Sequence, residues 1–249
     1  MKIHVITNKE VLRPEELEGK VVVVFDILLA TTTIVAALHS GAAAVIPVKD
    51  EDEARVWAER EPNVILSGEW KGKTIEGFLD PSPYILKNKI KGKKLILSST
   101  NGTRAIRLAS PAKVLYIGSL LNSSALTDHL ARAHSNETVL LVCSGSSGHF
   151  SLEDFFGAGI FALKLKQKSD PKRLDLTDAA LAALHLAQSE TNKAAALLKS
   201  SRVGQMMMVA GMERELMLAA QIGGYQELPI LIKEHITLLK KGVTSWEQL

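Results

Sequence analysis

The chain has 249 residues, 46% hydrophobic and 23% charged, which is the mix of a globular protein, and its 17 glycines and 8 prolines are too few for low-complexity disorder. Its 30 basic and 27 acidic side chains leave a net charge of +3, spread without the Lys/Arg stripe that a nucleic-acid face needs. The single cysteine, Cys143, excludes an internal disulfide framework and a cysteine-rich zinc site, and it fits a reducing compartment.

In chain order, short β-branched runs alternate with Ala/Leu-rich helical stretches. Strands are predicted at residues 2–7, 20–25, 44–48, 63–66, 94–97, 113–117 and 138–143. Helices are predicted at 31–40, 51–61, 102–109 and 123–134. Val21 to Phe25 is continuously apolar, which implies burial on both sheet faces. The alternation predicts an α/β fold with a mostly parallel sheet flanked by helices. The lysines between Lys87 and Lys94 carry no interleaved aromatics and read as a solvated loop. Residues 151–222 read as nearly all helical, giving a helix-rich C-terminal third, and one more strand is expected at 228–232. Met206, Met207, Met208, Met212 and Met217 read as core packing. The chain is expected to be a single unit over 1–249. A break near Asp170 leaves two lobes open, 1–170 with the strand–helix repeats and 171–249 with the helices.

The N-terminus enters a strand at once, without signal-peptide pattern, and no apolar run reaches the roughly 18 residues of a membrane helix. The expectation is a cytoplasmic protein with no membrane and no nucleic-acid partner.

What stands just past each strand is more specific. Asp26 follows the first long strand and precedes Thr31, Thr32 and Thr33; Ser67-Gly68-Glu69 follows the fourth. Ser99, Thr100, Asn101, Gly102, Thr103 and Arg104 follow the fifth, Ser119 and Asn122 the sixth, and Ser144 and Gly145 the seventh. In a parallel sheet these carboxyl ends share one edge, where ligands bind. Small hydroxyls, glycines and Arg104 read as a phosphate cradle at 100–104; each cluster alone reads better as helix capping, and five in register favour a ligand edge. Asp26 and Glu69 suit Mg²⁺ held between carboxylates and a substrate phosphate, with an N-cap or salt bridge as the plain alternative. Ser151, Glu153 and Asp154 form a capping box, with metal or acid–base work as the other reading. His129 and His134, five apart, do not share a helix face. No G-x-S-x-G elbow, Walker A loop or G-x-G-x-x-G is present. Asp26 mimics the first motif of haloacid-dehalogenase phosphatases, but Leu28 stands where the second Asp belongs.

The motifs VVVFDILLATTT (22–33), STNGTR (99–104), GSLLN (118–122) and CSGSSGHFSLED (143–154) together resemble the 2-phosphosulfolactate phosphatase, or ComB-like, family. The resemblance runs along nearly the whole chain. It implies a ComB-like fold and Mg²⁺-dependent hydrolysis of a small phosphorylated organic acid, phosphosulfolactate, to sulfolactate and phosphate. It implies Asp26, Glu69 and Glu153 as catalytic residues, with Asp26 and Glu69 holding the metal. Thr31, Thr32, Thr100, Asn101, Gly102, Thr103, Arg104, Ser119, Asn122, Ser144 and Gly145 would bind substrate. A homodimer is left open. The chain departs from the family pattern at Leu29, Ser146 and His149, where arginines are usual, and at Gln205. Guanidinium contacts to anions are strong and bidentate, so the alternative is a paralogue that binds a small anion without turning it over or takes another substrate.

Overall fold

A computed structural model describes residues 1–239. The chain forms β1 (Lys2–Ile6), β2 (Val21–Phe25), α1 (Ala30–His39), β3 (Ala44–Val48), α2 (Glu51–Arg60), β4 (Val64–Trp70) and β5 (Lys73–Thr74). It continues through α3 (Pro83–Lys87), β6 (Lys94–Ser98), α4 (Gly102–Leu108), β7 (Val114–Gly118), α5 (Ser123–Ala133) and β8 (Thr138–Cys143). The rest is mostly helical: α6 (Leu152–Lys168), β9 (Asp175–Leu176), α7 (Asp178–Glu190), α8 (Ala194–Ser200), α9 (Arg202–Val209) and α10 (Glu213–Ala219). A hairpin of β10 (Pro229–Ile232) and β11 (His235–Leu238) closes the described chain.

These strands make one sheet in the order β5–β4–β6–β3–β11–β10–β7–β2–β8–β1–β9. β4, β6 and β3 are parallel in one half, and β7, β2, β8, β1 and β9 are parallel in the other. The sheet is mostly parallel, as the continuous apolar runs require: every residue of β2, β3 and β7 is buried. The single carboxyl edge expected from sequence is replaced by a more divided arrangement. The β10–β11 hairpin lies between the halves and pairs antiparallel to β7 (Ile230 opposite Tyr116) and to β3 (Ile236 opposite Val45). Three successive antiparallel junctions leave the two halves opposed in strand sense. The sequence hid this because β11 has a single buried residue, Ile236.

The halves are nevertheless bound by a shared core. One apolar cluster joins Val22, Val24, Ile117 and Val142 of one half to Val45, Leu95 and Leu97 of the other, through Ile34 and Leu38 of α1 and Ala105 and Ile106 of α4. Burying both halves against the same two helices brings the start of α4, after β6, beside the end of β2. The opposite face of the larger half packs on α6 and α7, with Phe25 and Phe161 edge-to-face at 4.8 Å. That cluster takes Phe156 and Phe161 from one side of the 170 break and Ala180, Ala183 and Leu184 from the other. No helix among the described residues is long and apolar enough to cross a membrane.

One reading needs correction. Of the methionine group only Met207 is buried; Met206, Met208 and Met217 are exposed, because α9 and α10 are short and lie on the outside. His129 and His134 share no helix face but meet off it, both hydrogen-bonding the buried Tyr116 hydroxyl at 2.8 and 3.0 Å. α5 ends at Ala133, so His134 leaves the helical path and turns back to Glu137 (Nδ1···Oε1 3.0 Å).

The α6–α7 contact has no spare room. A Cβ on Gly159 would lie 2.1 Å from the Ala183 carbonyl oxygen, a clash with backbone. Gly159→Ala should therefore force the helices apart and lower stability by about 1–3 kcal/mol. Thermal melts check this: a Tm drop of roughly 2–10 °C is expected, and an unchanged Tm would contradict the packing.

Candidate active site

Asp26 directly follows β2 and is buried. Its backbone is clamped by Thr31, whose hydroxyl accepts from the Asp26 N–H (3.0 Å) and donates to the Asp26 carbonyl (2.9 Å). Thr32 donates to the Ile27 carbonyl (2.9 Å) and meets the Ser119 hydroxyl at 3.1 Å. Ser119 is in turn fixed by Asn122, whose Oδ1 accepts the Ser119 N–H at 2.9 Å while its Nδ2 donates to Ile117 O at 3.1 Å. Across from Asp26 stands Gly102, where any Cβ would fall 2.5 Å from Asp26 Oδ2. Only glycine lets α4 start this close to the carboxylate.

The 99–101 turn is held from both sides. Lys71 and Gly72 (φ +51° and +78°) form the two-residue loop of the β4–β5 hairpin, and Ser147 and Gly148 (φ +51° and +81°) close a small hairpin between Ser146 and His149. The Lys71 N–H donates to Thr100 Oγ1 (2.8 Å), and the Ser147 N–H donates to Asn101 Oδ1 (3.0 Å). Glu69 locks the same turn: its carboxylate accepts from Thr100 N (2.7 Å), Thr100 Oγ1 (2.9 Å) and Gly72 N (2.7 Å). Thr103 is tied to Ser99 through side chain and backbone.

Two further acids come from the start of α6. Ser151 caps that helix by accepting the Asp154 N–H at 3.2 Å, as the capping box implies. The buried Asp154 carboxylate reaches outward, accepting from Ile27 N (2.8 Å) and Gly145 N (3.1 Å), and so ties β8's exit to β2's exit. Buried Glu153 lies near enough to act electrostatically on Asp26. Burial first, then the charges of Glu69 and Glu153, push the Asp26 carboxyl up to about 7, against the pull of the Ala30 N–H and Lys9. Burial, then Asp26 and Glu153, likewise raises Asp154. Burial also raises the Cys143 thiol, leaving it a packing residue.

The structure thus brings Asp26, Glu69, Glu153, Thr100, Asn101, Gly102, Ser144 and Gly145 around one corner. Thr31, Thr32, Thr103, Ser119 and Asn122 are fully buried and give their polar atoms to backbone or to each other, so they set the corner's shape. Arg104 is turned aside: it stacks on Trp70 at 4.7 Å and its Nε donates to Lys49 O at 3.3 Å. Sequence reasoning missed Lys9. Its buried ammonium donates to Asn101 Oδ1 (3.0 Å) and Ser144 O (3.2 Å) and pairs with Glu10 (2.8 Å). The signal was available, since Asn8 and Lys9 follow the end of β1 as the other clusters follow theirs.

The acids offer only oxygen donors, and among the described residues no three His, Cys, Asp or Glu side chains are grouped so that they could hold a metal ion by themselves. Such a corner suits a hard cation that keeps water and takes ligand oxygens as well. A buried carboxylate cluster thus stands beside a turn of hydroxyls and amides on an α/β fold. The chain matches the 2-phosphosulpholactate phosphatase family over residues 6–234, and it belongs to that family. It is 38% identical over 231 residues to a probable 2-phosphosulfolactate phosphatase of Symbiobacterium thermophilum, covering 91% of this chain and 97% of that one. A probable 2-phosphosulfolactate phosphatase of Carboxydothermus hydrogenoformans is 37% identical over 92% of both chains. One of Thermotoga maritima is 36% identical over 86% of this chain and 90% of that one.

The raised Asp26 carboxyl has a consequence for stability. An acid whose pKa is about 7 when folded and ~4 when unfolded stabilises the fold fully below the unfolded value. That contribution is lost as pH rises through 7. In chelator-containing buffer, the Tm of Asp26→Asn relative to wild type should rise between pH 5 and pH 8. A difference independent of pH would show that Asp26 titrates normally.

Proposed function

We propose that this protein is a Mg²⁺-dependent phosphatase hydrolysing 2-phosphosulfolactate to sulfolactate and inorganic phosphate. The observation that carries this reading is the family match, with the charges of Glu69 and Glu153 bearing on buried Asp26 and Glu69 locking the 99–101 turn.

Asp26 and Glu69 would hold the metal. Their charges repel each other, and burial holds the Asp26 carboxyl up near 7, so a divalent cation fits the unmet charge of the corner. Bound there, Mg²⁺ would neutralise charge on the phosphoryl oxygens. Asn101 and Gly102 would fix the phosphate by backbone and amide contacts, on a turn already clamped by two hairpins, while Glu69 holds Thr100 and Asp154 holds Gly145 in place. Glu153 accepts no hydrogen bond from the described residues, which leaves its carboxylate free to take the proton of an attacking water. The same proton then goes to the sulfolactate oxygen as its bond to phosphorus breaks.

A second reading rests on one observation. Leu29 packs against the apolar core at a position where the family pattern has arginine, and Ser146 and His149 close a turn at two more such positions. That reading is an anion-binding paralogue without turnover, or one acting on another phosphorylated acid.

Phosphate release from 2-phosphosulfolactate and from other phosphorylated three-carbon acids, with Mg²⁺ and with chelator, separates the readings. The phosphatase should turn over phosphosulfolactate, and Asp26→Asn should lower kcat/KM by roughly 100-fold or more. Glu153→Gln should lower kcat with little change in KM, by about 10²–10⁴-fold for a lost acid–base group. Binding of the acids without release from any would favour the paralogue.

A further inference from the structure

Lys9 is the one lysine or arginine buried among the described residues, at 8% exposure, and it lies in the corner that holds Asp26. An ammonium has three donors and is costly to bury unless each is matched. Two are spent inside, on Asn101 Oδ1 and Ser144 O; the third reaches Glu10, whose side chain is 42% exposed. An arrangement built only for stability has no need of a surface carboxylate as third partner. Beside it are two buried polar atoms without partners. The Ser144 hydroxyl sits on the residue whose carbonyl holds Lys9, and Asn8 Oδ1 belongs to a side chain packed against Gly145. Of the two, only the Ser144 hydroxyl can donate to an anion, and an orphaned donor beside a buried ammonium marks a place where an anionic ligand completes the hydrogen bonding. Arg104, the cation that the sequence offered for this task, is stacked on Trp70 instead.

We propose that Lys9 is the phosphate-binding cation of this site, and that Glu10 occupies the place of the phosphate on Lys9 until substrate displaces it. The inference deepens the phosphatase reading and rests on it for the location of the phosphate. Lys9 shares Asn101 with the 99–101 turn, so an oxyanion on its third donor would lie beside that turn. The displaced Glu10 swings into solvent, where its charge is hydrated. Glu10 then acts as a competitor built into the chain, so removing its charge strengthens binding whereas removing Lys9 weakens it. A purely structural salt bridge would lose stability in both variants and alter anion affinity in neither direction selectively.

The test is titration calorimetry of the full-length protein with inorganic phosphate, and separately with methanesulfonate, in Mg²⁺ buffer, for wild type, Lys9→Met, Lys9→Arg and Glu10→Gln. Expected are phosphate binding at least 10-fold weaker in Lys9→Met, retained binding in Lys9→Arg, and a 3- to 10-fold gain in Glu10→Gln. Methanesulfonate binding should change little, because the proposal gives Lys9 to the phosphate and not to the sulfonate. Unchanged phosphate affinity in a folded Lys9→Met, or loss of methanesulfonate alone, overturns the proposal. If Lys9→Met does not fold, Glu10→Gln decides: no gain in phosphate affinity overturns it. Turnover of 2-phosphosulfolactate measured beside these keeps the two readings apart. Turnover with a Lys9-independent phosphate site sinks this inference alone, and Lys9-dependent phosphate binding without turnover sinks the phosphatase alone.

Discussion

The arrangement depends on burying acids where the two halves of the sheet meet. Asp26, Glu153 and Asp154 are all nearly inaccessible, and Lys9 is the buried cation among them. Charges in such a place are tolerated only if neighbours solvate them or if one form is neutral at working pH. Asp154 meets the first condition only in part: the N–H groups of Ile27 and Gly145 pull its carboxyl down, but burial, Asp26 and Glu153 raise it further. Asp26 meets it poorly, which is why burial and the neighbouring carboxylates hold it near neutrality. Groups perturbed this way by desolvation and like charge are the usual mark of a working site.

Everything around the corner serves to keep it in place. Fully buried hydroxyls of Thr31, Thr32, Thr103 and Ser119 answer backbone groups that a sharp strand-to-helix exit leaves open. Two tight turns with paired positive φ values deliver N–H groups to Thr100 and Asn101 from different parts of the chain. The result is a rigid rim made mostly of backbone, the preorganisation that phosphoryl chemistry needs. Glu69 joins the rim and the acids, because its carboxylate locks the 99–101 turn while its charge bears on Asp26.

Much of the fold and part of the site were legible in the residues. Continuous Val/Ile/Leu runs determined the buried strands, because only a sheet covered on both faces accommodates them, and the helices between them followed within a residue or two. The polar clusters past those strands determined which residues gather, and Asp26, Glu69 and Glu153 did gather. The roles within the clusters were not legible. Whether a threonine faces a ligand or its own backbone depends on the turn's dihedral angles, which the residue type leaves open; Thr32 and Thr103 turned inward, and Arg104 was drawn to Trp70 by cation–π stacking.

Only the tertiary structure decided the sense of the sheet and the electrostatics of its corner. Pairing of β10 and β11 with β7 and β3 is a contact between segments more than 100 residues apart, with one bridging residue pair at each junction, so no local pattern encodes it. Local sequence determined the strands through burial periodicity. Long-range packing against α1 and α4 determined how their ends meet. The buried Lys9 follows from the second cause and not the first: a lysine two residues past a strand is ordinary in sequence, and becomes unusual only when Asn101 and Ser144, 92 and 135 positions away, close over it.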